Sequence, residues 1–96
     1  MQPPMVFYKE DGGAPEQGQK HLFYVVRNFG PGYAAQLFTF TKTEMKHEGP
    51  DWLNRPLDEE EQQNIQHEMV EMGFTALVDY QNGAIAPDWL KWMGLA

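Results

Sequence analysis

A chain of 96 residues without cysteine is bounded to one small domain, with no disulfide and no thiolate metal ligand in its chemistry. Apolar residues at 42% and aromatic residues at 14% suffice for a hydrophobic core and exclude the composition of a disordered chain. Of the net charge of −7, residues 1–47 contribute +1 and residues 48–96 contribute −8, with only Arg55 and Lys91 as bases in the second half, so the basic footprint that direct nucleic-acid or anionic-membrane binding needs is missing.

Met5 to Lys9 reads as a short strand. Glu10 to Lys20 follows as a loop, marked by Asp11-Gly12-Gly13-Ala14-Pro15 and Gly18. His21 to Arg27 is aromatic and β-branched, the composition of a strand. Its apolar residues fall on both faces, which predicts a central strand covered by a helix on one side and by loops or a partner on the other. Asn28 to Gly32 supplies turn chemistry. In 34–43, Leu37, Phe38 and Phe40 interleave with Thr39, Thr41 and Thr43, so 21–44 is predicted to be an antiparallel hairpin with a loop longer than two residues. Met45 to Pro56, which contains Gly49-Pro50-Asp51-Trp52-Leu53, reads as irregular.

The helix signal is the clearest in the chain. Asp58 followed three residues later by Glu61 is a capping box with Asp in place of Ser or Thr, and the acids of the first turn complement the helix dipole. Ile65, Met69 and Met72 recur at helical spacing as one apolar stripe. Gly73 supplies a left-handed stop, with Phe74 folding back on Met69 in a Schellman ending. The helix is predicted over 58–72. Phe74 to Tyr80 then alternates, with Phe74, Ala76, Val78 and Tyr80 on one strand face. Asn82-Gly83 is the favoured pair for a type I′ turn, leading to a return strand at Ala84-Ile85. Pro87 to Met93 reads as a two-turn helix with proline at its first position and Gly94 as its stop.

This order predicts an α+β fold in a single domain over 1–96: a small antiparallel sheet of four to five strands, one main helix packed on a face, and a short C-terminal helix. Gly49-Pro50-Asp51-Trp52-Leu53 is echoed by Ala86-Pro87-Asp88-Trp89-Leu90. Pro-Asp is favourable in any helical first turn, so coincidence explains the echo better than duplication.

The inventory for catalysis is thin. The chain has no serine and no cysteine, and its strand threonines lack a marked activating base. Glu60, Asn64, His67 and Glu71 form one ridge of the predicted helix, so a divalent metal held by His67 with Glu60 and Glu71 is one reading. The ridge lacks the His-Glu-x-x-His pairing of a zinc helix, and a solvated polar face opposite Ile65, Met69 and Met72 is the plainer one. His21 and His47 read as surface or pairing residues. No resident cofactor or metal is expected.

Two features stand out. Eight acids lie between Glu48 and Glu71 against Arg55 alone, and a negative face of this kind steers association with basic partners, although acidity also serves solubility. Trp52, Trp89 and Trp92 fall in segments that read as irregular or terminal. Tryptophan is enriched at binding hot spots but equally staples a terminal helix to a sheet, the reading favoured for Trp89. In size, acidity and lack of a catalytic set the chain resembles the accessory and inhibitor proteins of phages and mobile elements. That resemblance is of style and carries over no motif and no residue. The basic surface that the acidic helix meets is either the nucleic-acid site of an enzyme, which the chain would mask, or equally that of an assembly partner or of a second copy of the chain.

The expectation is therefore a cytoplasmic, non-enzymatic interaction protein whose partner is a protein with a basic surface, or a second copy, with no direct nucleic acid and no membrane. Its contact residues are expected to be Asp51, Glu59, Glu60, Glu68, Glu71 and Trp92; if the acidic helix is only a solvated face, Trp92 with Met93 is the contact surface instead. The alternative is a small metal- or ligand-binding enzyme built on His67.

Overall fold

The computed structural model describes residues 4–12, 18–42, 44–80, 83 and 85–96. Strands β1 (Met5–Asp11), β2 (Lys20–Phe29), β3 (Gly32–Phe40), β4 (Met45–Leu53) and β5 (Thr75–Leu77) make one antiparallel sheet in the spatial order β4-β3-β2-β1-β5. Helix α1 (Glu59–Glu71) lies between β4 and β5 in sequence, and α2 (Pro87–Trp92) follows β5. The fold is α+β, with the main helix on one sheet face and the short C-terminal helix after it.

Alternation along the strands divides the core into two layers. Val6, Phe23, Val25, Phe38 and Phe40 face one way and pack with Tyr80, Ile85 and Met93, beside Trp89 and Leu90 of α2. Phe7 points the other way and packs with Met69 and Phe74, flanked by Leu22, Tyr24, Leu37 and Ile65. The central β2 is thus covered by α1 on one face and by the C-terminal segment on the other, which accounts for its two apolar faces.

Both helices end in the same device. At α1, Phe74 N donates to the Met69 carbonyl and Gly73 N to the Val70 carbonyl, with Gly73 at φ +90: the Schellman ending expected from Gly73. At α2, Leu95 N donates to Leu90 and Gly94 N to Lys91. A base from the sheet satisfies each exposed C-terminus. Lys9 Nζ donates to the Met72 carbonyl at 3.0 Å, and Arg27 donates to the carbonyls of Met93 and Gly94. Burial there lowers the Arg27 pKa from its ordinary value. These bonds tie both helix ends to the sheet and place cations at negative dipole ends.

The structure corrects several expectations. Residues 45–53 are not irregular but form β4, an edge strand held by pairing with β3. Only two residues, Gly30 and Pro31, separate the paired Phe29 and Gly32. Positive φ at Gly30 followed by proline suits a type II′ hairpin turn, so the loop is shorter than expected. Strand β3 stops at Phe40, where Thr41 N donates to the Glu44 carbonyl; Thr43 lies outside the described residues. Strands β1 and β2 extend to Asp11 and from Lys20, which pair with each other, and Gly13 to Gln17 are outside the description.

Strand β5 is three residues long, and Phe74 and Tyr80 belong to opposite core layers, because the chain passes from the α1 face to the α2 face around the sheet edge. Val78, expected on one strand face with Phe74 and Tyr80, is 98% exposed whereas those two are buried. The expected turn at Asn82-Gly83 and strand at Ala84-Ile85 fall largely outside the described residues; Ile85 itself is buried and not in a strand. The apolar stripe of α1 ends at Met69, since Met72 is 60% exposed. The echoed segments share no structure: one is strand, the other helix.

Candidate functional site

In a strand, residues three apart normally face opposite sides, yet Glu48 and Asp51 both open toward α1. The register supplies the reason. Leu37 pairs with Glu48 and Ala35 with Asp51, two steps along β3 against three along β4. Strand β4 therefore carries one extra residue, a β-bulge that re-aims a side chain. The bulge falls at Gly49-Pro50, a cis peptide with Gly49 at φ +93. A Cβ on Gly49 would stand 3.1 Å from the Ala35 carbonyl oxygen, so both conformation and space call for glycine. Proline is tolerated because β4 is an edge strand.

The opposing wall is α1. Its start is fixed by the predicted capping box: Glu61 N donates to Asp58 Oδ1 at 2.8 Å, and Asp58 N donates to Glu61 Oε1 at 3.5 Å. Arg55 adds a bidentate pair with the same Glu61 carboxylate. That hydrogen bond, foremost among its causes, holds Glu61 below the usual carboxylate range. With α1 so placed, Glu68 faces β4 across a groove of about 500 Å³ that also contacts Tyr24, Leu37, Met69, Met72 and Phe74. The groove thus has an apolar floor and a rim of three carboxylates: Glu48, Asp51 and Glu68.

Among the described residues that line the groove there is no Lys, Arg or His. Its electrostatic signature is seen at Tyr24. Burial first, then the negative charge of Asp51, and after Tyr33 that of Glu68, raise the Tyr24 phenol above its ordinary pKa. Elsewhere along β4 the signs are mixed: Lys20, Lys46, Glu44 and Glu48 surround a smaller hollow of about 210 Å³.

The expected contact residues are distributed over the molecule. Asp51 and Glu68 meet in the groove. Glu60 and Glu71 are exposed on the outer flank of α1, and Glu71 pairs with His67 Nε2 at 3.0 Å. Glu59, nine residues from Glu68, lies roughly 180° around the helix axis from it. No group of three or more His, Cys, Asp or Glu side chains able to hold a metal occurs among the described residues.

Trp92, 55% exposed, stacks on Phe40 with ring centres 6.1 Å apart, on the sheet face opposite the groove. Met93, expected as a contact with Trp92 only if the acidic helix is a solvated face, is a core residue at 2% exposure, because the end of α2 turns it onto Val25 and Phe40's layer. Trp89 serves packing, stacked 4.7 Å from Phe40. Trp52 lies in β4, where its exposed ring meets Phe29 at 4.5 Å. His21 Nδ1 lies 2.7 Å from the Tyr8 hydroxyl, whose pKa burial and Glu10 push up to about 12. His47 Nδ1 lies 3.2 Å from Gln36 Nε2.

Sequence reasoning did not single out Glu48 as a contact, nor the apolar floor beneath it. The available signal was Gly49-Pro50 within a segment able to pair as an edge strand. No helix among the described residues is long and apolar enough to cross a membrane. Comparison with protein-family models, with curated proteins and with solved structures finds no match for this chain.

Proposed function

We propose that this protein is a non-enzymatic interaction protein that docks, through the groove between α1 and β4, onto a protein partner with a basic surface. One observation carries the reading: carboxylates from two separate elements converge on an apolar-floored groove lined by no base among the described residues. Like charges brought together repel, and a cationic partner relieves that repulsion while gaining speed from electrostatic steering. Nucleic-acid-binding proteins offer such surfaces, the target that an accessory or inhibitor protein would mask.

The test is capture from source cells on immobilised protein. Three baits are compared: the wild type, a groove variant (Glu48→Gln, Asp51→Asn, Glu68→Gln), and a control with the same loss of charge elsewhere (Asp11→Asn, Glu59→Gln, Asp88→Asn). A partner should be retained by the wild type and the control, released by rising salt, and lost from the groove variant. Equal retention by all three baits would refute the groove as the docking site.

A further inference from the structure

The groove defines a narrower partner than charge alone, and this step rests on the docking reading above. We infer that the groove receives a short basic segment of a protein partner, one that presents a large apolar side chain between lysine or arginine residues. Charge complementarity identifies the flanking residues: Glu68 stands on the α1 wall, and Glu48 and Asp51 stand on the β4 wall. A cation entering between the walls therefore finds a carboxylate on either side.

The floor identifies what lies between those cations. Leu37, Met69 and Met72 offer apolar surface, and Met72 is 60% exposed at the lip. An ammonium group pressed onto that surface would lose water without gaining a partner. An apolar side chain would instead remove the exposed methionine from water. Methionine adapts its shape to an irregular occupant, as in grooves that take basic amphipathic segments. The volume of about 500 Å³ is that of a site for a few side chains, too small for an extended flat surface to fill.

Two short synthetic peptides of equal length and charge test the inference, one alternating lysine with leucine and the other lysine with serine. Binding is read by fluorescence anisotropy of labelled peptides at physiological salt, and the contact by methionine methyl shifts in NMR spectra. The leucine peptide should bind about tenfold more tightly, the factor that partial burial of one leucine supplies, and should shift the Met69 and Met72 methyls. Met72→Gln keeps side-chain length and helix propensity; it should remove most of that advantage and leave the serine peptide's affinity unchanged. Equal affinity for both peptides would overturn the inference and leave the docking reading standing on charge. Binding by neither would also overturn it, and the capture experiment alone would then decide the docking reading. A leucine advantage that survives Met72→Gln, with methyl shifts absent, overturns it too and moves the apolar contact elsewhere.

Discussion

Asp58 fixes the start of the α1 wall of the groove, and Tyr24 of β2 contacts the groove from beneath. Asp58 satisfies a backbone N–H that the first turn of α1 leaves without a helical partner. Asp58→Ala should lower stability by about 1 kcal/mol, read from the midpoint of urea or thermal unfolding. An unchanged midpoint would mean that something other than the cap holds the first turn. Tyr24 reports the field inside the groove. Its folded pKa stands above the ordinary 10.0, so its linked stability is fully present below the unfolded value and is lost as pH rises through the folded one. Neutralising Asp51 and Glu68 removes two of the causes that raise it, while burial, the largest, remains. The Tyr24 ring carbon shift, followed by NMR against pH, should titrate at lower pH in the Asp51→Asn, Glu68→Gln protein, yet still above the ordinary value. No change would place the two carboxylates farther from the phenol than the fold described here.

Among the elements, β4 matters most to the groove, because it carries Glu48 and Asp51. Its far end is fixed by close approach: a Cβ on Gly32 would overlap the Leu53 carbonyl. Gly32→Ala should therefore cost about 1–3 kcal/mol through forced displacement of backbone, measured by chemical denaturation. It should also weaken amide protection from hydrogen exchange along Tyr33 to Leu53. A silent substitution would argue that β3 and β4 do not close there.

Helix α1 was legible because its cap, its inward residues Ile65 and Met69, and its glycine stop all lie within a few residues of one another. Strand β4 was not, because Glu48-Gly49-Pro50-Asp51 has little strand propensity and becomes a strand only by pairing with Ala35 and Leu37 of β3. The same holds for the site. Asp51 and Glu68 could be picked out as acids, but their convergence with Glu48 depends on one extra residue in a register that only the paired strands reveal. Strand β5 fails for a related reason: alternation from Phe74 to Tyr80 is real in the sequence, but the chain changes sheet face before it is used.

At the scale of the molecule, charge is unevenly placed instead of merely abundant. Lys9 and Arg27 are engaged at helix ends, Arg55 is paired with Glu61, and Lys20 and Lys46 share the mixed hollow beside β4. Asp51 and Glu68 are left facing solvent across the apolar floor, while Glu48 borders both the groove and the mixed hollow. Exposed charges are screened beyond about 8 Å at physiological ionic strength, so this arrangement acts on a partner at close range and supplies orientation as well as attraction. Two exposed aromatic sites compete with it as contact surfaces: Trp92 on Phe40, and Trp52 with Phe29. Both lie on the sheet face away from the groove. Mapping NMR shifts of the isotopically labelled protein on addition of the captured partner distinguishes them directly. Docking in the groove should concentrate the shifts at Tyr24, Leu37, Glu48, Asp51, Glu68 and Met72 and leave Trp92 and Trp52 unmoved; shifts centred on either tryptophan, with the groove silent, would contradict docking there.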